Sequence, residues 1–418
     1  MSVRIAVLSV HTCPLAALGG KETGGMNVYV REVARELSRM GVAVDVFTRS
    51  QNAAIPRVVD LAEGARVIHL AAGPEKPLAR ETVYDHLDEF TEGVDAWRIA
   101  RGVDYDLIHA HYWLSGVVGL ALRERWGTPV LQMFHTLGRL KNRVARGAGD
   151  REPDVRIREE ARIIAAANRI VAANAVERAH LVQEYGADAR RIAVIPCGVD
   201  TDLFRPGGAA AARAALGLDA GPLLLYVGRL AAIKGLDTLL DAVALLRRRG
   251  CAMRLVIAGG ELDEPLDGHE AVLREQIARL GLTEVVRFVG PQTQERLREY
   301  YVAADLAVLP SYYESFGMVA LEAMACATPV VASRVGGLTT TVRDGVTGFL
   351  VPEGDVVALA NRLDAVVDDA DLRWRIGREG VRWAAQHRWP CVAEAVCREY
   401  AALQPRAHPH LAAARCLD

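Results

Sequence analysis

Short apolar runs recur along the whole chain, and longer stretches with helical spacing separate them. IAVL at 5–8, LLLYV at 223–227 and LVIA at 255–258 are continuously apolar and do not alternate with polar residues. An alternating strand keeps one wet face. A continuously apolar strand is covered on both faces, as strands of parallel sheets are. On this basis strands are expected near 4–10, 43–48, 66–71, 106–110, 129–134, 169–173 and 192–196. In the second half they are expected near 223–227, 254–258, 286–289, 305–309, 329–332 and 348–351. Between them lie amphipathic stretches such as NVYVREVARELSRMG at 27–41, with Val28, Val30, Val33, Leu37 and Met40 on one side. Repeated strand–helix units imply doubly wound sheets.

The 418 residues suit two such sheets, each in a domain of about 200 residues. The boundary is expected near 200–222, where CGVDTDLFRPGGAAAARAALGLDAGP is rich in Gly, Ala and Pro. The expected division is a first α/β domain at 1–200 and a second at 201–387. A terminal helix near 388–403 packs back on the first domain, and 404–418 forms a loose tail.

The net charge of −2 speaks against general attraction to nucleic acid, so an anionic ligand must be held by local cations. No apolar run approaches the ~20 residues needed to span a bilayer. Residues 1–10 read as a first buried strand, because no cleavage-site pattern follows them. The cysteines at 13, 197, 251, 326, 391, 397 and 416 form no CxxC pair. Reduced thiols in a cytoplasm are therefore expected, without a zinc site or a disulfide framework.

Two segments of the second half concentrate chemistry. In LLLYVGRLAAIKGLDTLLDAV, Gly228 ends a strand, Arg229 and Lys234 follow, and Gly235 opens a helix. Open parallel sheets bind ligands beyond the carboxyl ends of their strands, and two cations beside a helix N-terminus suit a diphosphate. In DLAVLPSYYESFGMVALEAMACATPVVAS, Glu314 lies in a loop and Glu322 lies in the helix after it. The intervening SFG turn frees backbone N–H groups for a ligand, and carboxylates accept hydrogen bonds from sugar hydroxyls. Glu322 stands among Leu321, Ala323, Met324 and Ala325. A charge in such company needs either a nearby cation or a ligand.

In the first half, Gly24-Gly25 precedes a helix. DLIHAHYWLSG and VLQMFHTLGRLKN place His109, His111, Tyr112, His135 and Thr136 at two strand ends. A zinc site of His109, His111 and His135 lacks a completing carboxylate or Cys at useful spacing.

GRLAAIKG, ESFGMVALEAMACATPVVAS and DGVTGFLV resemble the retaining GT-B glycosyltransferases of family 4, and the likeness extends over nearly the whole chain. It implies two Rossmann-like domains facing across a cleft. It implies that Arg229 and Lys234 hold the diphosphate of a nucleotide sugar, with UDP the favoured carrier. Glu314 would contact the transferred sugar and Glu322 the ribose. The backbone of Phe316, Gly317, Met318 and Val319 would meet sugar and phosphates, the base would lie near Val289–Gln292 at Gln292, and Gly25 would approach the donor. His135 would sit near the anomeric carbon. No enzyme nucleophile and no essential metal are implied, and Mg²⁺ is optional.

GGMNVYV, HAHYWLSG, HTLGRLKN, YGADARRIAVIPCGVDTDLFRPG and SYYESFG resemble the D-inositol-3-phosphate glycosyltransferase branch, and sucrose-phosphate synthases share parts of the pattern. Both act on phosphorylated acceptors. The resemblance assigns the acceptor phosphate to Arg80, Tyr112, Thr136 and Arg156, and the acceptor ring to His11 and Asn27. Arg80 stands where the branch has Lys, and Arg is a planar fork where Lys is a point charge. Asn174 replaces a Thr or Ser, Glu177 is kept, and the stretch between Gly19 and Gly24 differs from the branch. The partners expected are these two small molecules, with a second copy of the chain allowed for as a homodimer.

Three other classes fit less well. The Asp-x-Asp pairs at Asp104–Asp106, Asp200–Asp202 and Asp369–Asp371 lie at the wrong places for a metal–diphosphate bridge. No strand is followed by the GxGxxG of a dinucleotide-dependent dehydrogenase. A two-lobed sugar-binding protein does not need the Arg/Lys/Glu set.

Overall fold

Two sheets built by parallel pairing carry the architecture. The computed structural model describes residues 3–16, 24–260 and 268–404. The first sheet holds β1 (Arg4–Leu8), β2 (Ala43–Arg49), β3 (Val58–Ala62), β4 (Ala65–Leu70), β5 (Leu107–His111), β6 (Val130–Met133), β7 (Arg169–Ala172) and β8 (Ile192–Val194). Their order is β3-β4-β2-β1-β5-β6-β7-β8. The second sheet holds β9 (Leu223–Val227), β10 (Arg254–Ala258), β11 (Val286–Gly290), β12 (Leu306–Leu309), β13 (Val330–Ser333) and β14 (Gly348–Val351), in the order β11-β10-β9-β12-β13-β14. Each sheet starts in the middle, winds one way, then reverses. The reversal falls between β1 and β5 in one sheet and between β9 and β12 in the other.

One strand departs from the expected all-parallel plan. β3 pairs antiparallel to β4 at the sheet edge, through the two-residue turn Glu63–Gly64 with Gly64 at φ +81°. Its VVDLA sequence is only half-buried, so it shows neither a continuous apolar run nor a clean alternation.

The chain divides into two compact units. One takes Gly25–Pro196 with the chain up to Ala16 and the final helix; the other takes Cys197–Arg388. In the first unit the helix Gly25–Arg39 buries Val28, Tyr29, Val30, Val33 and Leu37, while Met40 falls beyond its end. The final helix, Trp389–Leu403, packs along it, with the Trp389 and Tyr29 rings 5.8 Å apart. Gln404 is not loose: its amide donates to the Asp106 carbonyl at 2.8 Å. The remainder of the expected tail and the stretch 17–23 lie outside the described residues. In the second unit Leu224, Leu239, Val243, Ile257, Val308 and Leu363 share one core. The Ala-rich part of the segment read as a linker forms the helix Ala209–Leu216, packed on the helix Gln294–Ala303. Alanine favours helix strongly, and composition alone had masked this. Cys13, Cys197, Cys251, Cys326 and Cys397 are free thiols.

The departure at Asn174 has a local explanation. Asn174 caps the helix Ala175–Tyr185, its side chain accepting from the Glu177 N–H at 2.9 Å. Glu177 reaches back to accept from the Ala173 N–H at 2.7 Å. This is a reciprocal cap, and Asn serves it as well as Ser or Thr does. Burial pushes the Glu177 carboxyl up to about 7. The folded chain then binds that proton more tightly than the unfolded chain. Its contribution to stability is full below about pH 4.5 and is lost as pH rises through about 7. Glu177→Gln should therefore flatten the fall in Tm between pH 5 and 8, as followed by thermal melts at constant ionic strength.

Candidate functional site

The second unit assembles its candidate residues where β9, β11 and β12 end. β9 leads into Gly228 at φ +153° and Arg229, whose carbonyl accepts from the Tyr226 hydroxyl at 2.8 Å. A short 3₁₀ turn, Ala232–Lys234, follows and ends on Gly235 at φ +68°. A Cβ on Gly235 would overlap the Pro310 carbonyl oxygen at the end of β12. The turn and the β12 loop are tied again where Tyr312 N–H donates to the Ile233 carbonyl at 2.9 Å. These contacts bring Lys234 Nζ to 2.5 Å from Glu314 Oε2. Two residues assigned to different parts of a donor thus form one ion pair, with both side chains about one-fifth exposed.

The loop beyond Glu314 is held from behind. The Gly337 N–H donates to the Glu314 carbonyl at 2.9 Å, and a Cβ on Gly336 would overlap that same carbonyl. Thr341 Oγ1 donates to the Phe316 carbonyl at 2.6 Å. Phe316 is buried, and Gly317, at φ +87°, turns the chain into the helix Met318–Ala325. No side chain caps that helix, so the N–H groups at Gly317, Met318 and Val319 begin it without a side-chain acceptor. Glu322 on this helix is buried. Its partner is a phenol and not a cation: the Tyr301 hydroxyl donates to Oε2 at 2.7 Å. Burial pushes the Glu322 carboxyl up to about 7, against the lowering effect of that hydrogen bond. Gln292 lies just past β11 and folds back on the Val289 carbonyl at 2.5 Å.

The first unit assembles a cationic cluster where β1, β5 and β6 end. Tyr112 and His135 follow β5 and β6 at φ +74° and +60°, in the left-handed region that ordinary side chains avoid. The Tyr112 hydroxyl lies 3.1 Å from Arg80 Nη1 and 2.8 Å from Arg156 Nη1, so it accepts from both guanidinium groups. Arg156 is wholly buried on the helix Asp154–Ala166. Its Nη2 donates to Thr136 Oγ1 at 3.0 Å and to the Thr136 carbonyl at 2.9 Å. Its Nε donates to Glu160 Oε1 at 2.7 Å, and Nη1 lies 2.8 Å from Glu152 Oε2. The His11 ring stands 4.5 Å from the Tyr112 ring. Burial, then Arg80, His135 and Arg156, hold the His11 imidazole neutral down to about 3. Asn27 donates to Thr12 Oγ1 and to the Cys13 carbonyl, both at 2.7 Å, fastening its helix to the loop after β1. His135 Nε2 is 3.0 Å from His111 Nδ1, and burial keeps His135 neutral down to about 3. His109 is turned away to the Tyr400 hydroxyl at 2.8 Å. Gly25 is the first residue of its helix, next to the stretch outside the described residues.

Two members of the cluster had gone unread. Lys141 pairs with Glu152 Oε1, and Glu152 also faces Arg156 and, at 3.9 Å, Arg80. Burial opposes the Glu152 charge, yet Arg156 and Lys141 hold its carboxyl down at about 2. The signal was the Glu152–Arg156–Glu160 spacing, a run of i,i+4 opposite charges. The Asp-x-Asp pairs have local roles. Asp106 accepts from the Arg4 N–H, Asp200 caps the turn at Asp202–Leu203, and Asp369 caps the helix Ala370–Ala384. Among the described residues no three His, Cys, Asp or Glu side chains are grouped to hold a metal ion, and no helix is long and apolar enough to cross a membrane.

Residues 23–203 match the family described as Glycosyltransferase Family 4, and residues 210–383 match Glycosyl transferases group 1. The D-inositol 3-phosphate glycosyltransferase 2 of Catenulispora acidiphila is 45% identical over 412 residues, covering 95% of this chain and 94% of the relative. The chain belongs to glycosyltransferase family 4. The D-inositol 3-phosphate glycosyltransferase of Nocardiopsis dassonvillei is 43% identical, covering 99% of this chain and 97% of its own. Among solved structures, sucrose-phosphate synthase from Thermosynechococcus elongatus superposes with a TM-score of 0.90 at 36% identity, covering 97% of this chain and 100% of that one. Anabaena HepE, in complex with UDP and glucose, shares the fold with a TM-score of 0.74 at 22% identity, covering 96% of this chain and 100% of its own. The two sheets are thus the domain pair of a GT-B glycosyltransferase, and the protein is a glycosyltransferase enzyme.

The Gly235 turn of this family 4 enzyme invites a simple check. Gly235→Ala combines a left-handed φ with the Pro310 overlap. It should cost at least ~1–2 kcal/mol of stability, which thermal melts would read.

Proposed function

We propose that this glycosyltransferase moves a hexosyl unit, GlcNAc or glucose, from a UDP-linked donor to a phosphorylated acceptor such as 1D-myo-inositol 3-phosphate, with retention. The observation that carries the acceptor half is the Tyr112 hydroxyl. It accepts from Arg80 and Arg156, so its own proton is left to donate outward beside two cations. That arrangement suits an anion. Thr136 Oγ1 accepts from Arg156 and is left with a proton to donate in the same way. The 36% identity to sucrose-phosphate synthase supports a second reading, transfer to a sugar phosphate, which keeps the acceptor phosphate and changes the ring. In either reading His11 and Asn27 meet the ring.

On the donor side, Arg229 and Lys234 neutralise the diphosphate as its charge develops on leaving. The diphosphate draws Lys234 away from Glu314, and Glu314 is then available to the hydroxyls of the transferred sugar. Glu322, oriented by Tyr301, accepts from the ribose hydroxyls. Backbone N–H groups from Phe316 to Val319 meet the sugar and phosphates, and Gln292 marks the end of the base site. His135 holds the sugar near the anomeric carbon. The leaving phosphate oxygen takes the proton of the attacking hydroxyl on the front face. No metal is assigned a step, and the enzyme is assigned to the cytoplasm.

A turnover screen tests the reading. It crosses UDP-GlcNAc, UDP-glucose, GDP- and ADP-sugars with inositol 3-phosphate, fructose 6-phosphate and their unphosphorylated counterparts. Turnover confined to unphosphorylated acceptors would sink it. Arg229→Ala or Lys234→Ala should lower kcat on the order of 10²-fold if each cation supplies ~3 kcal/mol. Arg156→Ala should raise KM for the phosphorylated acceptor far more than for its unphosphorylated analogue. Because the Glu322 carboxyl sits at about 7 and is needed ionised, UDP-glucose affinity should rise about tenfold from pH 6 to pH 8. Glu322→Gln should abolish that rise in a calorimetric titration.

A further inference from the structure

Arg49 ends β2, and its side chain is among the largest that the fold buries completely. Arg156, equally buried, is paired with Glu160, whereas no carboxylate pairs with Arg49 among the described residues. Glu75 acts on it electrostatically but is itself paired with Arg57. The Arg49 Nε has no hydrogen-bond partner among the described residues. A cation buried on such terms costs stability, and what it holds is one short stretch of backbone. Nη1 donates to the Pro74 carbonyl at 2.7 Å and to that of Ala72 at 3.5 Å, and Nη2 donates to the Lys76 carbonyl at 2.6 Å. These are alternate carbonyls of the segment between β4 and the helix Arg80–Tyr84. The helix Leu87–Arg101 holds the segment a second time. The Gly73 N–H donates to Glu89 Oε2 at 2.6 Å, and Gly73, at φ +65°, lies so close to the His86 ring that a Cβ would overlap it.

That segment leads to Arg80, four residues beyond Lys76. Arg80 is the first residue of a five-residue helix whose N-cap, Ala79, makes no side-chain hydrogen bond. A helix that short does not sustain itself, so the chain on either side sets its place and that of Arg80. The main chain of Arg49 meets the other acceptor element. Its N–H donates to the Val10 carbonyl at 3.0 Å, next to His11, and Gln51 Nε2 donates to the His11 carbonyl at 3.0 Å. Arg49 therefore joins the loop of His11, through its backbone, to the segment of Arg80, through its side chain. Substituting the side chain removes only the second of these ties.

We propose that Arg49 is a positioning residue for the acceptor phosphate: its guanidinium fixes the Ala72–Lys76 backbone and thereby the reach of Arg80 to Tyr112 and the phosphate. The proposal rests on the acceptor-phosphate reading above. The planar fork is essential, because two nitrogens take carbonyls two residues apart, whereas a Lys ammonium offers its donors from a single atom. The preference for phosphorylated over unphosphorylated acceptors then depends on a wholly buried residue of a neighbouring strand.

The test is calorimetric titration of inorganic phosphate, 1D-myo-inositol 3-phosphate, myo-inositol and UDP into the full-length protein. Wild type is compared with Arg49→Leu, Arg49→Lys, Arg80→Met and the double variant Arg49→Leu with Arg80→Met, and Tm is recorded for each. Arg49→Leu is expected to weaken inorganic phosphate and inositol 3-phosphate about tenfold, the worth of one hydrogen bond to a charged group. Binding of myo-inositol and of UDP should be unchanged. Arg49→Lys, which keeps the charge and loses the fork, should fall between wild type and Arg49→Leu. Adding Arg49→Leu to Arg80→Met should bring no further loss, because both act through one group. If Arg49→Leu does not fold, Arg49→Lys alone and with Arg80→Met gives the same comparison. The proposal is overturned if the Arg49 variants bind phosphate as wild type does, or lose phosphate, myo-inositol and UDP alike. It is overturned equally if their full loss persists in the Arg80→Met background. If Arg80→Met weakens phosphate while the Arg49 variants do not, the proposal alone falls. If Arg80→Met changes nothing and wild type shows no preference for the phosphorylated ring, the acceptor-phosphate reading falls with it.

Discussion

Parallel pairing of β1 with β2 and β5, and of β9 with β10 and β12, sends the carboxyl ends of these strands to the same edge of their sheet. Where the winding reverses, the helices that follow neighbouring strands run to opposite faces, and a gap opens between the loops. His11, Tyr112 and Thr136 lie beyond the ends of β1, β5 and β6. Arg229 and Glu314 lie beyond β9 and β12. The position of each follows from the order of the strands. It is also why backbone strain collects there: Tyr112 and His135 take positive φ within two residues of a strand end, and Gly235 and Gly317 do so eight residues beyond one. A chain that leaves a buried strand and must present a side chain to a ligand has little room to turn, and left-handed φ is how it turns sharply.

Electrostatics follows from that crowding. Both clusters carry counter-charges of their own. On the first unit Glu152 and Glu160 hold Arg80, Lys141 and Arg156; on the second, Glu314 holds Lys234. Buried or half-buried cations without counter-charges would be costly. Partners that are themselves close to the surface leave room for an anionic ligand to take a share of the cation. Lys234 and Glu314 are each about one-fifth exposed, whereas Arg156 and Glu160 are wholly buried. The first pair is placed to exchange partners and the second to stay fixed.

The two carboxyls raised to about 7 show burial acting in opposite contexts. Glu177 is enclosed in a helix cap and takes a backbone N–H. Glu322 is enclosed beside a phenol on a helix that no side chain caps. The same desolvation is a structural matter in one place and a feature of the proposed donor site in the other. Its meaning comes from what lies within reach, not from the shift.

Much of this was legible in the sequence. Continuously apolar runs located the parallel strands because both faces of such strands are covered, and the glycine-bearing motifs located the strand ends. Edge strand β3 escaped because a half-buried strand carries no such pattern. The helix Ala209–Leu216 escaped because its alanines read as linker. The sequence by itself determined which residue types stand at the strand ends, since local backbone demands and residue chemistry are written in short stretches of chain. Only the tertiary structure decided their partners: Tyr301 for Glu322, Glu314 for Lys234, Glu152 for Lys141, and Tyr112 and Thr136 for Arg156. Those pairings join elements up to 80 residues apart. A hydrogen bond depends on atoms meeting within about 3 Å, and separation along the chain carries no record of which atoms do.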